Sequence, residues 1–349
     1  PWKEENLTGV KIINNLSHNR KWKITVILLA VLAAAVLLAA AALWLIFRGR
    51  SLDLTMAYDG TSEFYDGGAS EASLQKADGF ALDLCVGDAN VSREGVSLSQ
   101  QARAGLFDLE GGDVLFAQGM YDRMYPASIT KIMTGILAVK YGNMDDVVTI
   151  TDAELNLEEG STEVGFQPGD QVTMEELLHV LLIYSGNDAA MAIARQVGGT
   201  VDQFVEMMNQ EAAALGATGT HFVNPSGLHD ENHYTTVYDI YLMLNEALSY
   251  PKFAEVMQLS SYNLTFTRNG EEQTIHMDST DQYMTHQVSA PKNVTVLGGK
   301  TGTTGDAGSC LALVSQNAYG EPFISIVLHA PTKTVLYENM NQLLSQINS

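Results

Sequence analysis

Cysteine is scarce in this chain. Cys85 and Cys310 are the only two among 349 residues, too few for a disulfide framework and without the spacing of metal ligands. Whether they pair with each other stays open at this level, because pairing requires their Cα atoms to lie close together. Cys310, inside the apolar run Cys310–Val314, reads equally as a small buried hydrophobe. Positive charge is scarce as well: 19 lysines and arginines stand against 41 aspartates and glutamates, for a net charge of −22. Phosphate binding needs clustered Lys and Arg, so no nucleic acid is expected as a partner. No internal repeat stands out, and long hydrophobic runs are missing everywhere but once.

That exception is Ile24–Phe47, 24 residues without a charge. At a rise of about 1.5 Å per residue, such a helix crosses a hydrocarbon core of roughly 30 Å. Trp22 and Trp44 sit near its ends, where amphipathic rings favour the headgroup level. A cleaved signal peptide is the alternative, but its apolar region is usually only about 7–15 residues, with small residues after it. Here Ala39–Ala42 lie inside the run and Leu43–Phe47 follow them. A retained transmembrane helix over 24–47 is therefore expected. Before it, Lys3, Lys11, Arg20, Lys21 and Lys23 against Glu4 and Glu5 give +3, which leaves −25 for everything after Lys23. The positive-inside rule makes residues 1–23 a cytoplasmic tail and puts the rest outside. The expected location is the cell membrane, single-pass, with the lipid bilayer engaged through residues 24–47. Residues 48–77, rich in Ser, Gly, Asp and Glu, read as an extracytoplasmic linker, and 78–349 as the globular domain.

Within that domain, Ala102–Leu109, Gly111-Gly112 and Asp113–Ala117 predict a hairpin. A helical block follows. Ser128–Tyr141 carries apolar residues at helical spacing, and Met174–Ile183, Asp188–Val197, Val201–Leu215 and Val237–Leu248, the last with Thr236 as cap, read likewise. Strands then return: Tyr262–Thr267 and Gln273–Met277 flank Arg268-Asn269-Gly270, a hairpin signal, and Val294–Leu297, Ser309–Val314 and Phe323–Leu328 come after. An amphipathic helix over Val335–Ile347 closes the chain. Strands at both ends with helices between them predict an α+β fold, an antiparallel sheet with helices on its faces.

Three short patterns carry chemistry. Ser128-Ile129-Thr130-Lys131 is S-x-x-K, whose i and i+3 positions share a helix face, so that a desolvated lysine can serve the serine as base. The pattern recurs at Ser73–Lys76, Ser249–Lys252 and Ser289–Lys292, but only Ser128 follows a proline and opens an apolar helix; Pro251 and Pro291 disfavour a helix through the last two. Ser185-Gly186-Asn187 lies between two helical blocks, where a loop presents side chains to a cleft; alone it is also an ordinary helix end. Lys300-Thr301-Gly302, at a strand end, offers a cation and a hydroxyl to a substrate carboxylate, with a glycine that lets a substrate backbone approach.

In the order S-x-x-K, S-G-N, K-T-G, these are the signature of penicillin-interacting serine enzymes. The chain resembles the low-molecular-mass D-alanyl-D-alanine carboxypeptidases through Pro126-Ala127-Ser128-Ile129-Thr130-Lys131-Ile132-Met133-Thr134, Ser185-Gly186-Asn187-Asp188-Ala189-Ala190, Asn224-Pro225-Ser226-Gly227-Leu228, and Lys300-Thr301-Gly302-Thr303 with Ala307-Gly308. The resemblance implies the penicillin-binding, β-lactamase-like transpeptidase fold. It implies Ser128 as nucleophile, Lys131 as base, Ser185 as proton relay and Asn187 as the group orienting the substrate amide. Lys300 and Thr301 would hold the terminal carboxylate, and the backbone N–H groups of Ser128 and Thr303 would form the oxyanion hole. The implied substrate is a peptidoglycan stem peptide ending in D-Ala-D-Ala, with β-lactams as covalent inhibitors and no metal or cofactor. Members are often held by a C-terminal amphipathic helix beyond an extra β-sandwich, and this sequence departs from that.

Other readings are weaker. His229 and His233 form H-x-x-x-H, but they follow Asn224-Pro225 and Gly227 in a loop, and the intervening glutamate is not at the H-E-x-x-H position; a structural contact for His233 is expected instead of zinc. A β-lactamase or transpeptidase shares all three patterns, yet the E-x-x-L-N element of class A β-lactamases is not found between S-G-N and K-T-G. A non-catalytic wall-binding protein is disfavoured because no motif residue is replaced.

Overall fold

Three strands of this chain are apolar on both sides, which fixes the architecture. In the computed structural model, which describes residues 84–158 and 161–348, strand β2 (Arg103–Asp108) buries Leu106 on one face and Phe107 on the other. The pattern repeats in β9 (Gly308–Gln316) and β10 (Pro322–Ala330). A strand apolar at every position must be covered twice. The six-stranded antiparallel sheet, in the order β1-β3-β2-β10-β9-β8, is covered twice. Its remaining members are β1 (Asn90–Val91), β3 (Asp113–Gln118) and β8 (Thr295–Thr304).

The described residues lie in one compact unit, Ala77–Ser349; the predicted tail, span and most of the linker lie outside the described residues. Among the described residues, no helix is long and apolar enough to cross a membrane.

The helices are α1 (Lys131–Tyr141), α2 (Asp152–Leu155), α3 (Met174–His179), α4 (Asn187–Gly198), α5 (Val201–Ala214), α6 (Val237–Ala247), α7 (Pro251–Met257) and α8 (Lys333–Leu344). One face of the sheet packs on α8, whose Leu336, Tyr337, Met340, Leu343 and Leu344 meet Leu106, Leu311, Leu313 and Val327. Each such side chain is worth about 1.5–3 kcal/mol of burial. The other face packs on the helical block with α1 at its centre, Ile132, Met133, Ile136 and Leu137 being fully buried. Thr236 caps α6 by accepting from Asp239 N–H at 3.0 Å, as predicted.

Two features depart from the sequence reading, the sheet that holds the Asn269-Gly270 hairpin and the place of K-T-G, whereas Pro251 acts as expected and the open pairing of the cysteines is decided. The Asn269-Gly270 turn joins β6 (Ser261–Arg268) to β7 (Glu271–Asp278), both turn residues having positive φ. That hairpin belongs to a second, four-stranded sheet, β4-β5-β6-β7, with β4 (Val147–Thr149) and β5 (Gln171–Thr173). As expected, no helix runs through Ser249–Lys252: Pro251 occupies the first position of α7, where its missing N–H has no partner to lose, and Ser249 lies before it, while Lys252 pairs with Glu175 and Glu255. K-T-G lies within β8 rather than at its end, because the strand continues through a bulge between Val296 and Gly298. Cys85 and Cys310 are separate buried thiols, and burial pushes the Cys310 thiol up to about 12.

Candidate active site

Pro126 opens a single 3-10 turn, Ala127–Thr130, which runs directly into α1. Side chains three apart eclipse in a 3-10 turn, so Ser128 and Lys131 meet more directly than a continuous α-helix would bring them. Lys131 is 0% exposed. Its Nζ lies 3.0 Å from Ser128 Oγ, 2.6 Å from Asn187 Oδ1 and 2.8 Å from the Ser226 carbonyl. Burial, and then the neighbouring charge of Lys300, drive the Lys131 amine well below the ordinary lysine value, against a smaller opposing effect of Asp188. A neutral amine has two N–H groups and one lone pair. Asn187 Oδ1 and the Ser226 carbonyl can only accept, so in the neutral amine they take both N–H groups and the lone pair is left for the Ser128 hydroxyl. This is the geometry of a general base.

The Ser226 carbonyl is a partner that the motifs do not reveal. Asn224 builds its loop, accepting at Oδ1 from the N–H groups of Ser226 at 3.2 Å and Gly227 at 2.7 Å. Gly227 has φ 86°, and a Cβ there would overlap the Ala127 carbonyl. The Asn224–Leu228 run thus packs on the turn that carries the serine.

Ser185 ends a π turn, Val180–Tyr184, that continues α3, and it takes left-handed angles (φ 70°, ψ 30°). Lys300, 2% exposed, donates to Ser185 Oγ at 2.9 Å and to the Thr301 carbonyl at 3.0 Å. Burial lowers the Lys300 amine to about 7, opposed by the carboxylate of Asp281. Two buried lysines therefore differ in role. The one beside Asp281 is charged below about 7, and that charge helps strip the other, so that environment separates the two as it does in other paired sites.

Asp281 also went unnoticed in the sequence. It is fully buried and its Oδ2 has no hydrogen-bond partner among the described residues, while Oδ1 accepts from Tyr283 N–H at 3.0 Å. Burial raises its carboxyl to about 6. The neighbouring Thr280 ties the motifs together, its N–H donating to the Ile183 carbonyl at 3.1 Å and its Oγ1 accepting from Thr301 Oγ1 at 2.6 Å.

Gly302 packs against a further segment. Its Cβ would lie 2.9 Å from the Pro126 carbonyl oxygen and 3.0 Å from Ser128 N. The glycine makes room for the turn bearing Ser128, and it also lines the cleft between Thr301 and Thr303.

Two lobes of a cleft, about 160 and 230 Å³, both include Ser128, Thr162 and Thr303 in their walls. Ser185, Thr280, Thr301 and Lys333 line the first, and Glu158, Asn187 and Leu228 the second. A peptide lying across Ser128 would reach into both. The histidines do not form a metal site: His229 faces Asp306 at 3.6 Å and the Tyr125 ring, whereas His233 is buried against Thr130. Among the described residues, no three His, Cys, Asp or Glu groups gather as metal ligands.

The sequence model of the D-alanyl-D-alanine carboxypeptidase family matches residues 94–332. D-alanyl-D-alanine carboxypeptidase DacF of Bacillus subtilis (strain 168) is 31% identical over 218 residues, 61% of this chain and 54% of the relative. DacC of Escherichia coli (strain K12) is 32% identical over 250 residues, 69% of this chain and 59% of the relative. The chain thus spans little more than half the length of these relatives. Among solved structures, the D-alanyl-D-alanine carboxypeptidase from Mycobacterium tuberculosis H37Rv has a TM-score of 0.64 at 27% identity, covering 73% of this chain and 95% of that one. The Streptomyces K15 DD-transpeptidase has a TM-score of 0.65 at 24% identity, covering 73% and 98%, a likeness of fold alone. With the family's sequence pattern running through well over half of its length, the chain belongs to the D-alanyl-D-alanine carboxypeptidase family.

Proposed function

We propose that this chain is a serine D,D-carboxypeptidase that removes the terminal D-alanine of peptidoglycan stem peptides through an acyl-enzyme on Ser128, and that β-lactams acylate the same serine. One observation carries the reading: the buried Lys131 amine, held well below its ordinary pKa, lies 3.0 Å from Ser128 Oγ with Asn187 Oδ1 and the Ser226 carbonyl as its other two neighbours. Lys131 takes the hydroxyl proton as Ser128 Oγ bonds to the carbonyl carbon between the two D-alanines. The negative charge that develops on the carbonyl oxygen is received by the backbone N–H groups of Ser128 and Thr303. The Asn187 amide nitrogen, left available when Oδ1 accepts from Lys131, orients the substrate amide. As the C–N bond breaks, the leaving amine takes up the proton that Lys131 removed from Ser128, passed on through the Ser185 hydroxyl beside Lys300, and Lys131 is neutral again. Lys300 and Thr301 hold the departing carboxylate. Water then attacks the ester carbon, releasing the shortened peptide and restoring the Ser128 hydroxyl.

The enzyme works from outside the cell membrane, anchored by residues 24–47; the +3 and −25 charge partition about that run supports this placement. To test the activity, a peptide ending in D-Ala-D-Ala is incubated with the chain and free D-alanine is measured, alongside labelling by a fluorescent penicillin. Ser128→Ala is expected to lose both while keeping thermal stability within about 1 kcal/mol. Release of D-alanine by the Ser128→Ala protein would move the nucleophile elsewhere, and rapid turnover of the penicillin would mark a β-lactamase.

A further inference from the structure

Ala127, the residue before Ser128, has φ 47°. A non-glycine residue holds this left-handed conformation only where its surroundings impose it. Thr130 donates its hydroxyl to the Ala127 carbonyl at 2.8 Å. The same hydroxyl oxygen lies 2.8 Å from Nε2 of His233, 103 residues further along the chain. Since the Thr130 proton is committed to Ala127, its oxygen accepts from His233, and Nε2 carries the ring proton. The second ring nitrogen agrees, because Nδ1 accepts from Val223 N–H at 3.3 Å. His233 is 2% exposed, and burial holds its pKa at about 4, so the ring stays neutral in this one tautomer.

We propose that His233 is a positioning residue for acylation: acting through Thr130, it holds the Ala127 backbone in its left-handed conformation and so aims the Ser128 hydroxyl and N–H at the reacting carbonyl. The relay is complete and directional. Val223 N–H fixes the tautomer, the tautomer makes His233 a donor, the donation orients the Thr130 hydroxyl, and that hydroxyl fixes the carbonyl next to the nucleophile. Gly227, which leaves space for the same carbonyl, is the packing counterpart of this polar device. The inference rests on the reading of Ser128 as the nucleophile.

Two amide side chains divide the roles of the imidazole. Glutamine places an amide nitrogen where Nε2 was and retains the donor to Thr130. Asparagine places its oxygen where Nδ1 was and retains only the acceptor for Val223. The measurement is the acylation rate constant for a fluorescent penicillin, resolved from its binding constant, together with the thermal midpoint of each protein. His233→Asn is expected to slow acylation at least about tenfold with initial binding unchanged, the size expected for a misplaced reacting group. His233→Gln should remain within about threefold of the parent. Thr130→Val should match His233→Asn, Thr130→Ser should retain the rate, and the double variant His233→Asn/Thr130→Val should be no slower than either single one. If Gln is as slow as Asn, or if the rates of all variants simply follow their thermal midpoints, His233 is a structural residue and the proposal is wrong. Equal, undiminished rates in Asn and Gln overturn it too. Identification of the labelled residue in the parent protein keeps the two readings apart: a label on Ser128 with insensitive His233 variants sinks only this inference, whereas a label elsewhere sinks the nucleophile.

Discussion

Replacing Lys300 by methionine removes a buried cation while leaving a side chain of similar length. A charged hydrogen bond to a substrate carboxylate contributes about 1.5–3 kcal/mol, which is roughly a 10- to 150-fold preference at about 1.4 kcal/mol per tenfold. The informative quantity is the ratio of kcat/KM for a peptide ending in a free carboxylate to that for the same peptide amidated at its end. Loss of the Lys300 hydrogen bond to Ser185 impairs both substrates alike and divides out. Because kcat/KM reports the free enzyme, and the Lys300 amine is protonated below about 7, the ratio in the parent protein should be full below that pH. It should then fall about tenfold per unit above it, since at two units above only about 1% of the amine is charged. The fall should level off at the contribution of Thr301. In Lys300→Met the ratio should be small and flat with pH. A parent ratio that stays constant from pH 5.5 to 9, or a methionine variant that keeps the preference, would show that Lys300 does not read the carboxylate.

Asp281→Asn bears on the same amine: without the carboxylate that supports its charge, the fall in that ratio should begin at lower pH. The variant should also be more stable than the parent above pH 6 by up to about 3 kcal/mol and equal to it near pH 4, because a carboxyl raised from 3.8 to about 6 loses stability as pH rises through that window; denaturation at the two pH values decides. For His233, lowered from 6.5 to about 4, the sign is opposite: relative to His233→Gln, the parent should lose up to about 3 kcal/mol as pH falls from 6.5 to 4, and a flat difference would refute the burial argument. Gly302→Ala should slow penicillin acylation by about 100-fold, because its Cβ displaces the turn bearing Ser128; an unchanged rate would show that the turn yields freely. Protease added outside intact cells should digest the domain and spare roughly the first 23 residues, and protection of the domain would reverse the proposed orientation.

What could be read in the sequence was local. Ser128 and Lys131 are three residues apart, and the hairpin at Asn269-Gly270 is announced by its turn, so neither needs knowledge of the fold. The sheet that the hairpin joins could not be read, since its pairing of Gln171 with Thr267 depends on a distant strand. The same holds in the site. The Ser226 carbonyl reaches Lys131 across 95 residues, and a backbone oxygen leaves no signature in residue type. Asp281 sits in a polar run, Asp278-Ser279-Thr280-Asp281-Gln282, where one of two aspartates is buried and nothing in the composition says which. Gly302 is legible as a glycine beside the cleft, but its close approach to Pro126 and Ser128 is not, because that contact is made across 176 and 174 residues of chain.

The site is strained beside both serines. Ala127 precedes Ser128 with φ 47°, and Ser185 itself has φ 70°. Each left-handed residue costs about 1–2 kcal/mol, and glycine would relieve it at either place. Glycine at Ser185 would remove the hydroxyl, so strain there is inseparable from the chemistry. At position 127 no side-chain function stands in the way, yet the alanine methyl is itself buried against Gly302, whose Cβ would come within 3.1 Å of it. A glycine at 127 would relax the backbone, widen the conformational range of the residue before the nucleophile and leave that contact empty. The alanine therefore makes sense as a stiffening element: it occupies an unfavourable conformation that the Thr130 hydroxyl, the cleared space at Gly227 and the packing on β8 together over-determine. Stability is spent at this point to narrow the orientations of Ser128, and the neighbours that enforce the strain come from the turn itself, through Thr130, and from two distant segments, the Asn224–Leu228 loop and β8. The serine is thus aimed by tertiary structure, although the motif that contains it is only four residues long.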